Sequence, residues 1–263
     1  MTLDYFIKRL WNDPIRNILF CIILFYPLVE IIFYLKDIPL GNAVYYPDYA
    51  FFLTCNTAGV GHIFQYLLLW FMPIYCLVLT ADDCIEDYHI GLKNVLVSKI
   101  GIKKYVQAHL VKSFVYAFLL IFSAMLINLL MVHIIFRGGQ FSPYTDEAGF
   151  ISTLSRFYQW EVKNPLWANI VFSLITAFMS GLISMVGTIS AIMIHNKKLV
   201  YGITLIFWFI PFLQKNSLMY LFQPHTEYDL DTLVPIGVTV SCIYIAYILF
   251  GYFKEVRFGK TTI

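Results

Sequence analysis

Chemistry inside a membrane requires paired acids, a histidine-containing metal motif, or a nucleophile with its base, gathered at one cavity. The apolar segments of this chain contain no His-Glu-x-x-His, no Asp pair and no Glu pair with a histidine nearby. His62, His109, His133, Asn128 and Asn169 fall in or at the ends of those segments without metal-ligand spacing, so they read as interhelical hydrogen-bonding groups. Cys21, Cys55, Cys76, Cys84 and Cys242 are scattered with no paired spacing, which points to packed or lipid-facing thiols. Gly259-Lys260-Thr261 imitates the end of a phosphate-binding loop, but Lys254 stands where that loop needs its first glycine. Two places carry charge worth weighing. One is Glu30, within an apolar run; the other is the polar stretch from Asp82 to Lys112.

That stretch begins with Asp82, Asp83, Glu86 and Asp87 and continues with lysines at 93, 99, 103, 104 and 112, presenting acidic and then basic surface. Ile85, Tyr88, Leu92, Val95 and Leu96 recur every three or four residues, with Glu86, Asp87, Lys93 and Asn94 opposite, so the spacing predicts an amphipathic helix lying along a surface. Gly101 is suited to end it by adopting a positive φ, and a second helix is expected to start near Lys103.

The elements that would hold this stretch are apolar. The 263 residues are 60% hydrophobic, 18% aromatic and only 13% charged, about half the usual charged share, which places the chain in the membrane class. A net charge of +2 gives no reason to expect a nucleic-acid partner. The expected fold is an all-α polytopic membrane protein in one transmembrane domain, residues 17–263, preceded by an interfacial helix over 1–16 whose Leu3, Phe6, Ile7, Leu10 and Trp11 share a face. No cleavage signal follows the first apolar run, so the start is read as uncleaved. Six spans are expected, near 17–35, 60–80, 109–136, 167–194, 199–213 and 233–253. The fifth is short, and the apolar residues 217–222 after it suit a helix dipping back into the outer leaflet. Ser180, Gly181, Ser184 and Gly187 form a small-residue run that favours close helix packing.

Six crossings place thirteen of the 18 lysines and arginines on the side of the Asp82 to Lys112 stretch, which the positive-inside rule makes cytoplasmic together with both termini. The expected location is therefore the cell membrane, with Tyr and Trp residues near span ends as interfacial anchors.

The topology, together with the text IEDYHIGLKNVLVSKIGIKKYVQAHLVKSF, resembles the permease subunits of type-2 ABC exporters. There an acid-containing segment is followed by glycine, an apolar stretch, and a turn with a basic pair leading into the third span. Here those features are Glu86 and Asp87, Gly91, Leu92 to Val97, and Lys103-Lys104. The resemblance implies that Glu86, Asp87, Gly91, Leu92, Lys93, Lys103 and Lys104 form a coupling helix that docks on a separate ABC ATPase. ATP and Mg would be bound by that partner, no cofactor by this chain, and a second permease copy or a homologous permease would complete the pathway. The exported compound would be a peptide or amphipathic molecule. Glu30 is read either as solvated or helix-pairing near the outer boundary, or as facing that pathway. Two other classes remain open on the residues alone: a non-transporting membrane scaffold or immunity protein, and an intramembrane enzyme. The polar stretch also suits plain binding to anionic lipid through Lys93, Lys99, Lys103 and Lys104.

Overall fold

A computed structural model describes residues 13–37, 46–54, 63–140, 155–226 and 228–258. The expected interfacial helix, His62 and Gly259-Lys260-Thr261 lie outside the described residues, apart from residues 13–16.

Asp13 opens the first helix, α1 (Pro14–Phe25): its carboxylate accepts from the amides of Ile15 and Arg16, and Pro14 occupies a first-turn position where no N–H is needed. The span therefore begins three residues before the expected position 17, and Arg16 belongs to it. At Tyr26 the axis bends by 42° into α2 (Pro27–Asp37), because the ring of Pro27 cannot sit in an unbroken helix. A second bent pair follows. α3 (Ile63–Trp70) meets α4 (Met72–Cys76), with Pro73 in its first turn, at Phe71, where the bend is 48°. α4 runs through one π-helical turn, Leu77–Ala81, into α5 (Asp82–His89). A turn at Ile90 and Gly91 leads to α6 (Leu92–Ile100), and Gly101 leads to α7 (Ile102–Ile135). Short α8 (Arg156–Lys163) precedes α9 (Pro165–Ile194), α10 (Lys197–Phe212), the 3-10 helix Leu218–Phe222 and α11 (Leu230–Phe258). Every regular element among the described residues is helical.

Three helices are long and apolar enough to cross a membrane, namely α7, α9 and α11, or up to five if each bent pair makes one span. At 1.5 Å per residue α7 measures roughly 50 Å and exceeds a ~30 Å hydrocarbon core. α10, with 16 residues, is the shortest of the expected spans. The 3-10 helix after it is buried at Leu218, Leu221 and Phe222, with Phe222 stacked on Trp208.

α9 is the axis of the bundle: 67% of its most apolar window is buried, against 39% for α7 and 28% for α11, whose outer sides carry exposed Leu119, Leu130, Val238 and Phe250. Its small-residue run explains the close approach. A Cβ on Gly181 would stand 2.6 Å from the Phe114 ring of α7, and one on Gly187 would stand 2.5 Å from Leu77. Ser180 donates to the Ala117 carbonyl of α7, and Ser184 shares a 2.9 Å hydrogen bond with Thr80 of the π-helical turn. Asn128 donates to the carbonyl of Pro27 and accepts from the amide of Phe52, while Asn169 donates to the carbonyl of Asp48, so these two buried amides tie helices and a 3-10 turn (Pro47–Ala50) together.

Candidate functional site

Charged side chains converge at the end of the bundle where α5 and α6 lie. Asp82 accepts from Lys197 Nζ at 2.6 Å and from the Tyr201 hydroxyl, both on α10. Asp83, buried, accepts from Lys112 Nζ of α7 at 2.7 Å and from the Arg16 guanidinium of α1. Asp87 faces His109 of α7, with Oδ2 3.8 Å from Nε2. Lys93 of α6 donates to His195 Nε2 at 2.9 Å and to the Ile192 carbonyl of α9 at 3.4 Å, and lies 3.7 Å from Glu255 of α11. The Tyr88 ring stacks on His195 at 3.7 Å. The α5–α6 connector is thus bonded to α1, α7, α9, α10 and α11 at once.

His195 explains the Lys93 contact. It ends α9 in the left-handed region at φ 55°, and burial, with Lys93 and His89 nearby, holds its pKa down to about 4. Neutral imidazole then offers Nε2 as an acceptor to the ammonium.

The connector's far side faces outward. Ile90 is 63% exposed, and Tyr88, Gly91, Val95 and Glu86 are exposed beside it. Lys99, Lys103 and Lys104 extend that surface along the ends of α6 and α7. Gly91 has φ 75° with nothing within 4 Å of an added Cβ, so its backbone conformation, not space, calls for glycine.

The sequence-based expectation needs correction here. A single helix through Ile85 to Leu96 does not form, because Gly91 turns the chain between α5 and α6. Asp87 and Lys93, expected on the outward polar face, point into the bundle, while Val95 is exposed and Tyr88, though stacked on His195, keeps about half its surface exposed. The reason is that the bundle end presents Arg16, Lys112, His109 and Lys197, so the favourable inward contacts for α5 are ionic. Of the expected docking residues, Glu86, Gly91, Lys103 and Lys104 are exposed, Leu92 is half-buried, and Asp87 and Lys93 are structural anchors. Glu30 lies elsewhere, on α2, and is 3% exposed; it faces protein and not the interface expected of a solvated group. Sequence reasoning counted Arg16, Lys112 and Lys197 only as topology markers and missed their acidic partners. The available signal was the acid pair Asp82-Asp83 beside basic residues placed at the starts of apolar helices.

Cys84 Sγ lies 3.1 Å from His109 Nδ1, so a thiol, an imidazole and the Asp87 carboxylate stand in series. All three are buried to 1% exposure or less, which denies a substrate access to the thiol. Among the described residues, no group of three or more His, Cys, Asp or Glu side chains could hold a metal ion.

Over 230 residues the chain is 37% identical to the uncharacterized protein YybM of Bacillus subtilis (strain 168), a match covering 88% of each chain. No protein-family model and no solved structure matches it.

Proposed function

The chain belongs to the same family as YybM, and we propose that it is the membrane-embedded permease subunit of an ATP-driven exporter of the type-2 ABC kind, with the α5–α6 connector receiving force from a separate ATPase. The single observation that carries this reading is the connector's two-sidedness. Its inner side is bonded to five helices of the bundle, while its tip presents exposed Tyr88, Ile90 and Val95 next to Glu86 and three lysines. A lever needs both properties: a surface to push on and stiff attachment to what must move.

In this reading the protein crosses the membrane six times, α10 making the fifth crossing. Support comes from Asp82–Lys197, which brings the start of α10 to the connector, and from Lys93–Glu255, which brings the end of α11 there. The positive-inside rule then makes the connector end cytoplasmic, with both termini. Two copies, or this chain and a homologous permease, line the pathway, and ATP with Mg binds the partner subunits. Closure of the ATPase pair pushes each connector as a rigid body and rocks the spans toward an outward-open arrangement. To invert a 1:99 population, ATP must favour the second state by about 5.5 kcal/mol. The exported compound is a peptide or amphipathic molecule. The chain itself performs no nucleotide chemistry, since its sequence lacks a phosphate-binding loop.

Affinity purification of the full-length protein from its own membranes in mild detergent tests the reading. A soluble ATPase with a phosphate-binding loop copurifies, and ATP turnover follows the complex. Purification as a self-sufficient protein, with no nucleotide hydrolase recruited under crosslinking, contradicts it and returns the scaffold or immunity reading.

A further inference from the structure

Glu30 is unlike the acids of the connector. It lies within the first bent pair of apolar helices and is 3% exposed. Among the described residues its Oε2 takes part in no hydrogen bond, and no lysine, arginine or histidine forms an ion pair with it. One helical turn earlier the Tyr26 hydroxyl is likewise buried without a partner among the described residues. An unpaired carboxylate in such surroundings is costly, so the position is complete only when something positive joins it. Metal cations need several oxygen ligands, and no group of three or more metal-ligating side chains exists among the described residues. A proton needs one oxygen.

We propose that Glu30 is an intramembrane proton-binding site. A hydronium ion supplies the proton and leaves water, and the Glu30 carboxylate ends as the neutral acid. Tyr26 and Tyr34 stand four positions before and after Glu30 in the sequence, and Asn128 of α7 is committed to Pro27 and Phe52. The inference does not rest on the ATPase reading, and it stands or falls separately.

Infrared spectra of the full-length protein in lipid vesicles at neutral pH decide it. The wild type carries a carbonyl stretch of a protonated carboxylic acid that shifts in heavy water; Glu30→Gln loses one component of that band, and Glu161→Gln keeps it. Glu30→Asp, which retains a carboxyl and guards against misfolding of the Gln variant, moves the component without removing it. Superimposable spectra of wild type, Glu30→Gln and Glu30→Asp overturn the site.

Discussion

Asp83 holds two cations, Arg16 and Lys112, that arrive from different helices, and both its own side chain and that of Lys112 are 1% exposed. Removing one charge from such a cluster leaves the others uncompensated in a poorly solvated place, which costs about 3–5 kcal/mol, whereas removing a matched pair costs less. Asp83→Asn is therefore expected to lower the thermal unfolding midpoint of the purified protein sharply, and Lys112→Met added to it is expected to restore part of the loss. A calorimetric or fluorescence melt of the single and double variants checks both. His195 gives a pH dependence of known sign. Its pKa falls from 6.5 to about 4 in the folded chain, so between those values the unfolded chain binds more protons. The stabilising contribution is complete above pH 6.5 and is lost as pH falls toward 4. Melting midpoints taken across that window are expected to fall for the wild type and to fall less for His195→Asn. Neither residue announced this role in the sequence. Apolar periodicity ranks faces by hydrophobicity, and so it assigned Asp87 and Lys93 to the outside although ion pairs draw them in.

Among elements, the connector depends on two glycines with positive φ, Gly91 at 75° and Gly101 at 81°. Gly101 was legible as a helix end; Gly91 was not, because the three-and-four spacing of apolar residues continues across it. A side chain at Gly91 meets no neighbour, so Gly91→Val acts through backbone strain of about 1–2 kcal/mol. Under the proposed exporter role, membrane insertion is expected to stay normal while transport-stimulated ATP hydrolysis falls, as measured in vesicles with the proposed ATPase partner added. At α9 the constraint is spatial. Gly181→Leu drives side-chain atoms into the Phe114 ring and is expected to cost about 1–3 kcal/mol by overpacking the α7–α9 contact, read as a lower melting midpoint. The starts of α9 and α10 were legible to within two residues because proline and asparagine mark them. The start of α7 was legible to within one residue of Lys103 because Gly101 precedes it, whereas α11 extends five residues beyond its apolar run, since hydropathy detects the lipid-crossing part of a helix and not its amphipathic continuation at the surface. Pro73 was present in the sequence, but the bend it accompanies at Phe71 depends on how α4 packs against α9 and could not be read from the chain alone.

At the scale of the whole molecule, the membrane class was legible from composition, and the assembly of α9 at the centre from its small residues. The gathering of five helix ends around one connector was not legible, because it depends on pairs separated by 22 to 162 positions, such as His109 with Asp87 and Glu255 with Lys93. That gathering makes the connector a place where a small displacement reaches the entire bundle. Under the proposed coupling role, Glu86→Lys, on the exposed side and 3.9 Å from Arg16 Nη2, is expected to leave membrane insertion intact and to change ATPase coupling. Site-specific photo-crosslinking from position 90 in native membranes tests the central claim most directly. An ATP-dependent adduct between the connector and a soluble nucleotide-hydrolysing subunit is the expected result. Adducts formed with lipid alone, or formed identically with and without ATP, would contradict it.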